Sequence, residues 1–280
     1  MSKAANRILL LWAFASMGFA SGFAQGQEID TPASGNIVLK KFPVKASQGV
    51  AVDEKWFYAI SNTKISKHDK QSGELIAEWN ADRKNKAGAH FKHLNSGTVV
   101  GDKLYCAHSR FPLASNDCTV EIFEVSRKSL EHKSTIPLPA KHGSLTWIDR
   151  RGDGSWWMCY AVYGKGSNKN TKLVKYRRDD GNFIEEREWF FPKEVVTKWG
   201  TMSSSGGSWG PDGKLYITGH DLAEAYVLEF DEDDNLKYLR TEKGLGLFGQ
   251  AIAWDRFSDE PVLWGIVKNR HVSQTLIPTK

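Results

Sequence analysis

Cysteine is scarce in this 280-residue chain, with three copies, and no apolar run beyond the first two dozen residues is long enough to cross a bilayer. One disulfide would leave a thiol over, so the fold has to stand on its core rather than on covalent staples. Cys106 and Cys118 either pair across one repeat or stay free, and Cys159 lies in an apolar strand as a small core residue. Metal signatures are missing: there is no CxxC, HxH or HExxH pattern. Acidic residues sit mainly in turns and form no opposed carboxylate pair of the glycosidase kind. The net charge is +5, with 38 basic residues scattered among 33 acidic ones, and no nucleic-acid-binding motif is visible.

The N-terminus is what the chain has instead of a membrane span. Lys3 and Arg7 precede an apolar run from Ile8 to Phe19, and Gly22-Phe23-Ala24 offers a small-x-small cleavage site. Residues 1–24 therefore read as a signal peptide, residues 25–35 as a flexible mature N-terminus and residues 36–280 as a single domain. The expected address is periplasmic or secreted, and the expected state is a monomer without a membrane span.

A small-residue step, a strand, a tight turn and an aromatic strand recur five times, opening at Gln48-Gly49, Ser96-Gly97, His142-Gly143, Gly206-Gly207 and Gln250-Ala251. The intervals are 48, 46, 64 and 44 residues, the scale of propeller blades. Turn chemistry such as Gly101-Asp102-Lys103 or Pro211-Asp212-Gly213 between apolar runs marks hairpins. The fifth repeat ends after its third strand, and Asn36 to Phe42 has the strand character to supply its fourth. These features predict an all-β, five-bladed β-propeller whose last blade is closed by an N-terminal strand, hiding the sheet edges. Excess length in the third repeat falls in residues 164–170 and 192–205, the latter a short helix over the channel or a surface connection.

In such a ring, equivalent repeat positions become neighbours. The small residues Gly49, Gly97, Gly143, Gly207 and Ala251 are expected to let five backbones approach at the axis. Around them stand Gln48, His93, Asn95, His142, Gln250 and Trp209, and the ends of the second strands add His108, Arg110, His220, Asp221, Lys268 and Arg270. Packing alone would be met by Val or Ala, and buried polar groups need partners, so this inventory predicts a pocket. Gln48, His93, His108, Arg110, Trp209, Asp221, Gln250 and Arg270 are the candidate ligand contacts, and His142 and His220 the candidate acid and base. Imidazoles with a carboxylate also suit a divalent metal ion with an open position. Of the eleven tryptophans, Trp56, Trp147, Trp156, Trp254 and Trp264 fall at packing positions, while Trp199 and Trp209 are free to meet a ligand.

The Gln48-Gly49 entry, its strand pair and the KHDKQSGE turn resemble the opening blade of glutaminyl-cyclase-type and olfactomedin-type propellers over about 35 residues. The resemblance implies an exported propeller with a site at the channel. In the cyclase family the second strand of that blade carries a functional Glu, where FYAISNT here has Ser61 and Asn62; olfactomedin-type propellers hold metal near the axis through carboxylates and amides. The leading expectation is a small polar ligand, a saccharide or an anionic metabolite, bound at the channel mouth. A lyase or hydrolase using His142 and His220, with or without a metal, and a protein-interaction propeller are the alternatives.

Overall fold

The computed structural model describes residues 35–112, 117–139 and 143–278. The signal-peptide segment and His142 lie outside them. Five four-stranded antiparallel sheets account for twenty strands. Blade 1 contains β2 (Gly49–Val52), β3 (Trp56–Ser61), β4 (Lys64–Asp69) and β5 (Leu75–Asn80). Blade 2 contains β6 (His93–Val100), β7 (Lys103–Ser109), β8 (Thr119–Val125) and β9 (Leu130–Pro137). Blade 3 contains β10 (Ser144–Arg150), β11 (Trp156–Ala161), β12 (Lys172–Asp179) and β13 (Asn182–Phe190). Blade 4 contains β14 (Gly206–Trp209), β15 (Leu215–Thr218), β16 (Ala225–Phe230) and β17 (Leu236–Glu242). Blade 5 contains β18 (Ala253–Trp254), β19 (Val262–Val267), β20 (His271–Leu276) and, as its outer strand, β1 (Ile37–Phe42). The inner strands contact one another in the cycle β2, β6, β10, β14, β18 and back to β2, which makes the arrangement a closed five-bladed propeller.

The core is divided among the blade interfaces. Five buried clusters each draw on two adjacent blades, for example Phe57, Trp264 and Phe42 between blades 1 and 5, and Trp147, Trp209 and Tyr226 between blades 3 and 4. Second strands packed on both faces read as unbroken apolar runs, as in β11, WWMCYA, buried throughout. Outer strands alternate or face water. In β1, IVLKKF, only Phe42 is buried, and the strand joins β20 in the register Ile37↔Leu276 to Phe42↔Val272.

Two inner strands depart from the repeat spacing. β6 starts at His93 rather than Ser96 because a bulge lies between Leu94 and Gly97, and Asn95 Nδ2 reaches the Leu145 carbonyl at 2.8 Å. β18 starts at Ala253 because Gln250 holds a φ of 65°, outside the extended region. The close approach at the axis is real at Gly49, where a Cβ would lie 2.4 Å from that of Ala251. At Gly207 the space admits the Trp147 ring instead.

The insertions of the third repeat pack together. Asn168 Nδ2 donates to the carbonyls of Gly200 (3.1 Å) and Met202 (3.0 Å). The short helix Lys193–Val196 and the 3-10 turn Thr197–Trp199 bury Val195 and Trp199 against Phe191 in the blade 3–4 interface. That segment therefore seals an interface, and Trp199 is a core residue. The three cysteines are free thiols. Cys106 and Cys118 cannot pair, because they face opposite interfaces of blade 2.

Candidate functional site

Connections from each outer strand to the next inner strand, and from second to third strands, meet at one end of the ring, called here the entry mouth. His93 begins β6 there, opposite Ser109. Its ring lies 5.3 Å from that of Phe111, which in turn lies 5.1 Å from Tyr163 of blade 3. Burial, reinforced by the charge of Lys268 from blade 5, pushes the imidazole down to about 4, so it is neutral at ordinary pH. Neither ring nitrogen is hydrogen-bonded to a described residue.

The amides stand on the same rim. Gln48 Nε2 donates to Asn62 Oδ1 at 2.6 Å, and the Gln48 carbonyl accepts the Ala251 N–H at 3.0 Å. The Gln250 carbonyl accepts from the Thr218 hydroxyl at 2.5 Å, fixing a buried residue in its left-handed conformation. Beside it Gly249, at φ 56°, presses on the His220 carbonyl, where a Cβ would come within 2.0 Å. His220 Nδ1 meets Asp221 Oδ1 at 2.5 Å. The turn with Lys268 and Arg270 is tied in by the Asn269 N–H on the Ala46 carbonyl at 2.7 Å. Arg110 reaches Asp117 at 3.4 Å, while its buried Nε has no partner.

Two of the sequence candidates are elsewhere. Trp209 pairs with Leu215 at the far end of β14, so it belongs to the opposite mouth. It packs on Trp157 at 5.1 Å and carries the Arg151 guanidinium 4.4 Å over its ring. His108 pairs with Leu94, one step below His93, and is fully buried in blade 2 beneath the rim rather than on it. There it joins His90 and Glu121 in the one group among the described residues with the make-up of a metal site, and His132 bonds the same carboxylate. The hydrogen bonds argue for protons instead. Lys92 N–H donates to His108 Nε2 at 3.1 Å, so the ring proton is on Nδ1 and points to Thr119 Oγ1 at 2.8 Å. Glu121 then accepts from Thr119 (2.5 Å), His90 (2.8 Å), His132 (2.8 Å) and Thr135 (2.7 Å). Burial alone would raise its carboxyl; these four donors hold it well below the usual range, and no lone pair of His108 is left for a metal. Glu121, the inner of two glutamates in the otherwise apolar strand TVEIFEV, is the one hint of the cluster in the sequence, and it names none of the partners.

Asp149 does the same at the far mouth. Its carboxylate accepts from Thr98 (3.0 Å), Ser208 (3.0 Å), the Trp209 N–H (2.8 Å) and Arg256 (2.6 Å), joining blades 2 to 5. Two familiar spacings are spent on structure. Gly206-x-Ser208-x-Gly210 has the form of a nucleophile elbow, yet Ser208 is a buried strand residue whose Oγ serves Asp149 and accepts the Trp254 N–H at 3.1 Å. Gly244-x-Gly246-x-x-Gly249 has dinucleotide spacing but joins two strands, with no helix N-terminus to face a pyrophosphate.

No protein-family model matches the sequence, and no curated protein matches it. Solved structures similar to the fold include a PQQ-bound aldose sugar dehydrogenase from Streptomyces coelicolor, at 9% identity and a TM-score of 0.49, covering 86% of this chain and 97% of that one. The β-propeller domain of Cps50 (Swd1) from Myceliophteria thermophila matches at 10% identity and 0.47, covering 87% and 100%. A gluconolactonase from Xanthomonas campestris matches at 10% identity and 0.46, covering 87% and 89%.

Proposed function

We propose that the protein binds a small anionic saccharide or related polar acid at the entry mouth. The reading is carried by His93: a neutral imidazole with neither nitrogen bonded to a described residue, walled by Phe111 and Tyr163 and lying in the field of Lys268. A neutral imidazole both donates and accepts, which suits vicinal hydroxyls. Aromatic side chains offer flat apolar surface to a sugar ring, and Lys268, with Arg270 on the same turn, supplies charge for a carboxylate. Gln48, Asn62 and Gln250 add amides to the rim.

Calorimetric titration with glucuronate, galacturonate and gluconate beside their neutral sugars is the test. At least one acid is expected to bind, and His93→Ala and Lys268→Ala each weaken it tenfold or more, while Lys55→Ala at the far mouth does not. The reading fails if none of the acids binds, or if binding is indifferent to both entry-mouth variants. The lyase or hydrolase alternative draws support from the His220–Asp221 pair, in which the carboxylate orients the ring and leaves Nε2 for proton transfer. Turnover of the bound acid, abolished in His220→Ala but not in Lys55→Ala, would select it.

A further inference from the structure

Charges that look scattered in sequence are segregated by the fold. Ten connections meet at the entry mouth: 43–48, 62–63, 81–92, 110–118, 138–143, 162–171, 191–205, 219–224, 243–252 and 268–270. Their described residues contain thirteen lysines and arginines against five carboxylates. The nine connections of the opposite end, such as 53–55, 231–235 and 255–261, contain seven against fourteen. Neutralisation within the entry face is slight. Of the lysines and arginines there, only Arg110, with Asp117 at 3.4 Å, and Lys243, with Glu224 at 4.0 Å, form ion pairs among the described residues.

The cations are spread around the whole ring. Lys84 and Lys86 lie between blades 1 and 2, Lys165 in blade 3, Lys198 between blades 3 and 4, and Arg270 in blade 5, all exposed. Three large apolar side chains stand exposed among them: Phe111, Leu222 and Phe248, at 36%, 42% and 48%. Among the described connections of the acidic end Phe257 alone is exposed in this way, with Ile37 and Leu75 exposed where the outer strands β1 and β5 begin there. A linear polyanion would be met by a stripe of charge. A ring-wide basic face with protruding apolar groups matches a plane that is anionic at its surface and apolar just beneath.

We propose that the entry face docks on an anionic lipid bilayer, with Phe111, Leu222 and Phe248 entering the headgroup boundary and the acidic face turned away. No described helix is long and apolar enough to cross a membrane, so the attachment is peripheral. Salt weakens such docking, since surface charges are screened over a Debye length of about 10 Å at 0.1 M. The substitutions that test the docking leave His93, Lys268, Phe111 and Arg270 in place, so this proposal and the ligand reading can fail independently.

Flotation with phosphatidylcholine vesicles containing about 30% phosphatidylglycerol, beside pure phosphatidylcholine, tests it at low and high salt. The protein is expected to float with the anionic vesicles at low salt only. The variant Lys84→Glu/Lys86→Glu/Lys165→Glu/Lys198→Glu should bind at least tenfold more weakly. Lys55→Glu/Lys103→Glu/Arg127→Glu/Lys128→Glu, with the same net charge but altered at the other end, should bind like the parent; circular dichroism checks that both fold. Leu222→Ala/Phe248→Ala should also bind more weakly. Equal loss in the two charge variants would reduce the effect to net charge and overturn the proposal. So would equal binding to neutral vesicles, no flotation at all, or capture by soluble polygalacturonate without flotation, which would assign the face to a linear polyanion.

Discussion

Buried imidazoles tie this protein's stability to pH. His108 is wholly enclosed; burial pushes its ring down to about 4 despite the attraction of Glu121, with His90, His93 and Arg110 opposing its protonation. An unfolded histidine titrates near 6.5, so below that pH the unfolded chain takes up a proton that the native ring refuses. The contribution of His108 is complete above about pH 6.5 and is lost progressively down to about pH 4, on the order of 3 kcal/mol in all. Glu121 shifts the opposite way: its contribution stands above the ordinary carboxylate range and is lost only in stronger acid. Urea unfolding between pH 7 and 4 should therefore show falling stability, and His108→Gln should flatten that fall even if it is weaker at pH 7. An unchanged slope would show that the ring is not the titrating group. Little of this was readable from the chain, because His90, Glu121 and His132 meet across a strand pair and a connection, with no regular interval between them.

Single elements differ in how firmly they are held, and β1 is held least. Five of its six residues are exposed, so closure of blade 5 depends on the hydrogen-bond ladder to β20 and on Phe42. That ring stacks on Trp264 at 5.7 Å and tilts against Phe57 at 4.8 Å. Phe42→Ala should cost about 3–5 kcal/mol in urea unfolding, the range for emptying a large aromatic site. A much smaller loss would mean that the ladder alone secures the strand. This closure was visible in the sequence, since a fifth repeat one strand short and a strand-like segment before the first repeat are both local facts. Turn residues and apolar runs likewise marked the hairpins. The start of β18 was misplaced because the left-handed conformation of Gln250 is imposed by Gly249, Thr218 and the neighbouring loop, and Gln itself gives no sign of it. Trp209 was assigned to the wrong mouth for a related reason: in a strand of four residues, three steps carry a side chain from one end of the channel to the other.

For the ring as a whole, the position of the chain ends is a choice the fold does not require. Ile37 pairs with Leu276, and a Cβ at Gly35 would lie 4.0 Å from Pro278, so the described ends are adjacent. A short linker from Pro278 to Gly35 would turn β20 and β1 into an ordinary hairpin. Opening the chain between Asp233 and Asp234, in the exposed turn before β17, then moves the non-covalent closure to blade 4. There the outer strand β17 buries Leu236 and Glu242 and half-buries Tyr238, whereas β1 buries Phe42 alone. The relocated closure is thus the better-anchored one, and exposed turns tolerate new termini. The permuted protein should fold to the same far-ultraviolet spectrum and unfold at a urea concentration equal to or above that of the parent. It should also lose its sensitivity to whatever frees β1, so that Phe42→Ala costs only its packing and no longer opens the ring. A permutant that fails to fold, or that is markedly less stable, would mean that the order of the blades along the chain contributes to stability beyond the contacts between them.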